Sequence, residues 1–155
     1  ENTIGVYTSM DFLFNGKTIT NASTGQTQGT NAYKQTMNYG DGTIDVLKLG
    51  TSSKAGSFET AAVGVSGKSK LSFYAVGWNK SNGTVLTCVA GSSTENLTLA
   101  ANTGAVGNPD PTYEITVTDS DYFTVTIPSG TQSVVLKTTG KENCRAVIFG
   151  LKAVK

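Results

Sequence analysis

The sequence predicts an all-β chain, an antiparallel β-sandwich of about nine short strands. Three observations carry this. From residue 45 onward apolar and polar residues alternate with period two, and turn residues fill each break. Charged residues make up only 15% while 18 glycines and many Thr and Ser recur, which suits pleated strands and tight reversals better than long amphipathic helices. The 155 residues suffice for one core burying roughly 70% of the unfolded surface, so a single domain is expected over 1–155, with 1–44 less regular and 45–155 as its body.

In chain order, "MDFLFNG" is a possible strand and "NASTGQTQGTN" a polar loop. "NAYKQTMNYG" reads either as a helical turn ending at Gly40 or as a cover in which Tyr33, Met37 and Tyr39 close one end of the sandwich. Strands are then expected at Asp45–Leu49, Ser57–Val65, Leu71–Trp78, Thr84–Ala90, Asn96–Ala100, Tyr113–Val117, Phe123–Ile127, Ser133–Thr138 and Arg145–Val154. The stretches "SGKSK", "NKSNG", "NPDP", "TDSD", "IPSG" and "TGKEN" supply the reversals between them. Alternation points Tyr113, Ile115, Val117, Phe123, Val125 and Ile127 inward and Glu114, Thr116, Tyr122, Thr124 and Thr126 outward. "LSFYAVGW" and "CRAVIFGLKAV" are apolar on both alternations, so they belong to central strands or to a face covered by a loop or a partner. The expected packing set is Phe73, Val85, Leu97, Leu99, Ile115, Val117, Phe123, Val125, Ile127, Val134, Leu136, Ile148 and Phe149.

Charge excludes some functions. With 12 Lys and Arg against 11 Asp and Glu the formal net charge is +1, and no basic run offers a footprint for nucleic acid. No stretch approaches the roughly 18 apolar residues of a membrane span. No leader-like segment opens the chain at Glu1, so either the chain is not exported or its leader has been removed; removal is the expectation, and with it an extracellular or cell-surface domain. Cys88 and Cys144 permit one disulfide closing a loop of about 57 residues, but Cys88 alternates with Leu86 and Ala90, and an ordinary buried thiol is the stronger reading.

Catalytic chemistry finds little support. The chain has no His, which removes Ser-His-Asp and Cys-His nucleophiles and imidazole-bound transition metals. Glu59, Glu95, Glu114, Asp119, Asp121 and Glu142 fall at turns or on wet strand faces, not as an opposed pair suited to glycoside hydrolysis. "GAVGNPDP" lacks the Lys-Ser/Thr of a phosphate loop. No cofactor is implied.

The run from "LKLGTSSKAGS" through "LSFYAVGW" and "TVLTCVAG", with the closing "YFTVTIPSGTQSVVLKTT" and "CRAVIFGLKAV", resembles the galactose-binding-like, carbohydrate-binding-module-type jelly rolls of secreted and surface Bacteroidetes proteins, over about residues 45 to 154. The resemblance implies a jelly-roll fold appended to other domains, and it carries no ligand motif. Where relatives have paired aspartates in the last strand this chain has Phe149-Gly150, which removes oxygens that would help a structural calcium site. Asp41 and Asp45 remain as oxygen donors, although "DGTID" is explained more simply as a turn entering a strand.

Within "LSFYAVGW", Tyr74 and Trp78 share one face, roughly 13 Å apart along the strand, a spacing suited to successive sugar rings. Aromatic faces cover the C–H face of a pyranose while amides bond its hydroxyls, and Asn79 and Asn82 in the adjoining turn supply amides. Tyr39, preceding Asp41, is expected to approach the same end. The competing expectation is that Tyr74 and Trp78 fill the sandwich. The sequence thus points to a non-catalytic exported module that binds a glycan weakly through Tyr74, Trp78, Asn79, Asn82 and Tyr39, with a structural or adhesive domain facing a surface-protein partner as the alternative.

Overall fold

The structure, a computed structural model, describes residues 29–60, 65–78, 83–104 and 113–155. Its strands are β1 Gly29–Thr30, β2 Ala32–Tyr39, β3 Gly42–Leu49, β4 Ser57–Glu59, β5 Lys70–Gly77, β6 Thr84–Ala90, β7 Ser93–Leu99, β8 Tyr122–Thr126, β9 Val134–Lys137 and β10 Ala146–Val154, with a 3-10 turn at Asp119–Asp121. They form two five-stranded sheets, ordered β1-β4-β9-β6-β7 and β2-β3-β10-β5-β8. All strand pairs are antiparallel. Removing the added edges β1 and β2 leaves β4-β9-β6-β7 facing β3-β10-β5-β8, the interleaved order of an eight-stranded jelly roll.

One hydrophobic core lies between the sheets, where Leu47, Phe58, Phe73, Leu86, Leu136 and Ile148 are fully buried. Of the expected packing set, Phe73, Leu99, Val125, Ile127, Val134, Leu136 and Ile148 lie in this core, with Leu97 and Phe123 against it. Val85 does not, because β6 turns Leu86, Cys88 and Ala90 inward and leaves Val85 half-buried on the other face. Ile115, Val117 and Phe149 pack in a second cluster on the outer face of the β2-β3-β10-β5-β8 sheet, with Met37, Ile44, Val46, Val76, Trp78 and Val147.

Two local expectations are corrected, and the cysteines follow the stronger of their two readings. "NAYKQTMNYG" is a strand and not a helical turn: Tyr39 pairs with Gly42 across a two-residue reversal in which Gly40 takes φ +62°. Tyr113–Val117 is not a strand: Glu114 forms an isolated parallel bridge with Asn38, after which Thr116 N–H turns to a side chain. Cys88 and Cys144 are both buried and unpaired with each other; Cys88 sits in the core and the Cys144 thiol donates to Thr51 O at 3.3 Å. "MDFLFNG", "NPDP" and residues 61–64 of the expected Ser57–Val65 strand lie outside the described residues.

Candidate functional site

Strand β5 is buried on both faces for two separate reasons. Leu71, Phe73 and Ala75 enter the inter-sheet core, while Tyr74, Val76 and Trp78 face outward beneath or beside the segment that follows β7. That segment is tied down by Asn102, whose side chain is fully buried. Its Nδ2 donates to Glu114 O at 2.8 Å and Trp78 O at 3.3 Å, and its Oδ1 accepts from Gly104 N and Thr116 N, each at 3.0 Å. A Cβ on Gly104 would stand 2.5 Å from Glu114 O, so glycine lets the two backbones close on the amide. The result fixes Ile115 over the sheet and leaves the neighbouring β8 end of the face open.

On that open part, Phe149 of β10 lies opposite Tyr74 of β5, which lies opposite Tyr122 of β8. Tyr74 stacks on Phe149 at 5.2 Å and 16°, and Tyr39 meets the same Phe149 edge-on at 5.4 Å and 62°. Tyr122 tilts against Tyr74 at 4.9 Å. Phe149 is fully buried as the floor, Tyr39 and Tyr74 are half-buried, and Tyr122 is 37% exposed, the one large apolar side chain in the exposed range among the described residues. A β-bulge after Phe149, where Gly150 adopts φ +67°, shifts the register before Lys152 pairs with Ser72. One register step further, Ser72 and Thr124 share a hydrogen bond of 2.8 Å between hydroxyls on the same face. Burial, and then Tyr39, Asp119 and Tyr122 nearby, push the Tyr74 phenol above its ordinary value. The patch thus combines ring faces, phenols, aliphatic hydroxyls and the Asp119 carboxylate.

The structure therefore brings Tyr39 and Tyr74 together, on either side of Phe149. Trp78 is 7% exposed, with the Lys48 ammonium 4.8 Å above its ring and Tyr113 at 5.7 Å, so the expected Tyr74/Trp78 platform does not present an indole face. Asn79 and Asn82 lie outside the described residues. Tyr122 was absent from the expected site although alternation had placed it outward; only the pairing of β5 with β8 sets it beside Tyr74.

Several carboxylates are occupied structurally. Glu59 accepts from the Ser133 hydroxyl at 2.6 Å, Glu95 from Thr126 N at 2.8 Å and Asp121 from Thr118 N at 2.8 Å. Asp45 accepts from Thr36 Oγ1 at 2.8 Å, and Asp41 is exposed in the β2–β3 turn. Among the described residues no three His, Cys, Asp or Glu side chains converge as a metal site. A separate open cleft of about 370 Å³ is lined by Gly67, Lys68, Ser69, Ile127, Ser129, Gly130 and Lys155, with no aromatic ring to stack on a ligand.

No protein-family model matches the sequence, and no curated protein matches it. Among solved structures, the cleaved adhesin domain K2 of Lys-gingipain is similar at 16% identity and TM-score 0.51, covering 83% of each chain. A carbohydrate-binding module of Cellvibrio mixtus lichenase 5A, solved with cellotriose, aligns at 14% identity and TM-score 0.47 over 88% of this chain and 95% of that one. Only the first clears the level at which a shared fold is argued, and what it shares is the β-sandwich.

Proposed function

We propose that this chain is a non-catalytic, exported β-sandwich module that binds carbohydrate weakly at the cell surface or outside the cell, through Tyr122, Tyr74 and Tyr39. The observation that carries the reading is the 37% exposed Tyr122 ring set beside Tyr74 on a buried Phe149 floor. An exposed ring offers an apolar face to the C–H face of a sugar, and the Ser72–Thr124 hydroxyls and Asp119 offer polar partners to its hydroxyl groups. One open ring on a shallow surface suits dissociation constants of roughly millimolar order. The sequence resemblance to carbohydrate-binding jelly rolls supports the same reading.

The test is a glycan array followed by calorimetry of any hit with the wild type and Tyr122→Ala. Binding that is weakened by Tyr122→Ala, in a variant with an unchanged melting temperature, supports the reading. An array without hits removes it and favours a structural or adhesive domain whose partner is a protein, for which the same exposed edge strand β8 would be the contact.

A further inference from the structure

At the other end of the same sheet face stand two cations with no carboxylate paired to them among the described residues. Lys48 of β3 lies opposite Tyr33 of β2 and opposite Val147 of β10. Arg145, just before β10, accepts the Trp78 N–H on its carbonyl at 3.1 Å, and since Ala146 faces the core, Arg145 projects to the outer face, diagonal to Lys48. The Lys48 ammonium is held in place: 4.8 Å from the Trp78 ring centre, 5.3 Å from that of Tyr33, and donating to Gly50 O at 3.3 Å. Both side chains are half-buried, and no carboxylate among the described residues pairs with either.

We infer that Lys48 and Arg145, flanked by Tyr33 and Trp78, form a second subsite that accepts the anionic group, carboxylate or sulfate, of an acidic sugar. Two half-buried like charges on one face repel each other and lose hydration, a placement that an incoming anion relieves. The ammonium accordingly lies well below the ordinary lysine value, by burial first and by Arg145 second, with the Cys144 thiol acting the other way. A guanidinium offers paired N–H donors to two oxygens, and the ammonium offers a point charge beside them. The rings bracket the Lys48 ammonium with apolar surface, and the Tyr33 phenol adds a hydrogen-bonding group, its distance to Asn31 Oδ1 being 3.5 Å. That the anion is carried on a sugar rests on the proposed function above; that the pair accepts an anion does not.

Trp78, the single tryptophan, is a built-in reporter because its ring touches the Lys48 ammonium while lying away from Tyr122. Galactotriose, trigalacturonate and a sulfated galactose trisaccharide are titrated by calorimetry and by Trp78 emission, at low and at physiological salt. One acidic trisaccharide is expected to bind about ten-fold or more tightly than the neutral one, with a change in emission and with a preference that shrinks as salt rises. Which acidic probe does so tells carboxylate from sulfate. Arg145→Gln and Lys48→Met abolish the preference and leave the neutral affinity unchanged; thermal unfolding confirms that both variants fold, and Met keeps an apolar stem between the rings. Equal binding of neutral and acidic probes, or a preference that survives in both variants, overturns the anion subsite while leaving the carbohydrate reading intact. No binding by any of the three overturns the acidic-sugar subsite, and the glycan array decides the carbohydrate reading separately. An acidic preference lost in these variants but untouched by Tyr122→Ala upholds the anion subsite and removes the tyrosine patch.

Discussion

Lys48 is charged at neutral pH in a place that disfavours the charge. Burial, reinforced by Arg145, lowers its proton affinity from 10.5 to about 8. Between those values the unfolded chain holds more protons than the folded one, so this group adds stability as pH rises through the window, and below about 8 its penalty is fully present. Lys48→Met is therefore expected to be more stable than the wild type at pH 7, by about 1–2 kcal/mol once solvent screening is allowed for, and the difference should vanish near pH 10.5. Paired thermal melts from pH 6 to 10.5 check it; a difference that does not change with pH contradicts it. Cys88 has the opposite sign. Burial first, then Glu95, pushes its thiol from 9.0 to about 12, so the stability it contributes is present below pH 9 and is lost as pH climbs toward 12. A native Cys88 is accordingly expected to resist a thiol reagent at pH 8 and to react only at the rate of unfolding. Labelling that outpaces unfolding would contradict this. At the same scale, Phe149-Gly150, read in the sequence only as the loss of calcium oxygens, supplies the floor of the tyrosine patch and the bulge beside it.

Among the elements, strands with consistent alternation were legible and those with divided burial were not. Thr84–Ala90 matches the expected bounds, with Leu86, Cys88 and Ala90 turned inward, although Thr87 is buried too and Val85 lies on the other face. β2 escaped because its burial changes face along its length: Ala32 enters the inter-sheet core at one end, Met37 the outer cluster at the other, and Thr36 and Asn38 on the core-facing alternation are exposed. "YEITV" had the right buried side but no strand, since beside its bridge to Asn38 the backbone groups of Glu114 and Thr116 are claimed by the Asn102 amide. No periodicity reveals such an amide, which acts at a single position. Asn102→Ala leaves two backbone N–H groups and two carbonyls without it, and a cost of about 2–4 kcal/mol is expected. Because Ile115 and Tyr113 lie over the outer cluster, the same change should shift Trp78 emission to the red. A stability loss without that shift would show that Asn102 stabilises the segment without shielding the indole.

At the scale of the molecule, the doubly apolar stretches of β5 and β10 correctly signalled central strands, and the jelly-roll order places both within the β2-β3-β10-β5-β8 sheet. What alternation could not say was which strand stands beside which, and so it linked Tyr74 to Trp78 along one strand where the fold links Tyr74 to Phe149 and Tyr122 across three. This arrangement divides the outer face into a folding part and a presenting part, and a pair of substitutions should separate them. Phe149 is fully buried and touches Tyr39 and Tyr74, so Phe149→Ala is expected to cost about 3–5 kcal/mol and lower the melting temperature sharply. Tyr122 lies on an edge strand with its ring partly in solvent, so Tyr122→Ala should change stability by no more than about 0.5–1 kcal/mol while weakening a bound glycan by roughly five-fold, the worth of one ring contact. Tyr122→Phe tests the ring alone: it should keep most of the affinity if stacking dominates and lose it if the phenol is the contact. Should Tyr122→Ala instead unfold the domain, the ring would be part of the packing, and the open surface beside Tyr74 would have no role in presenting a ligand.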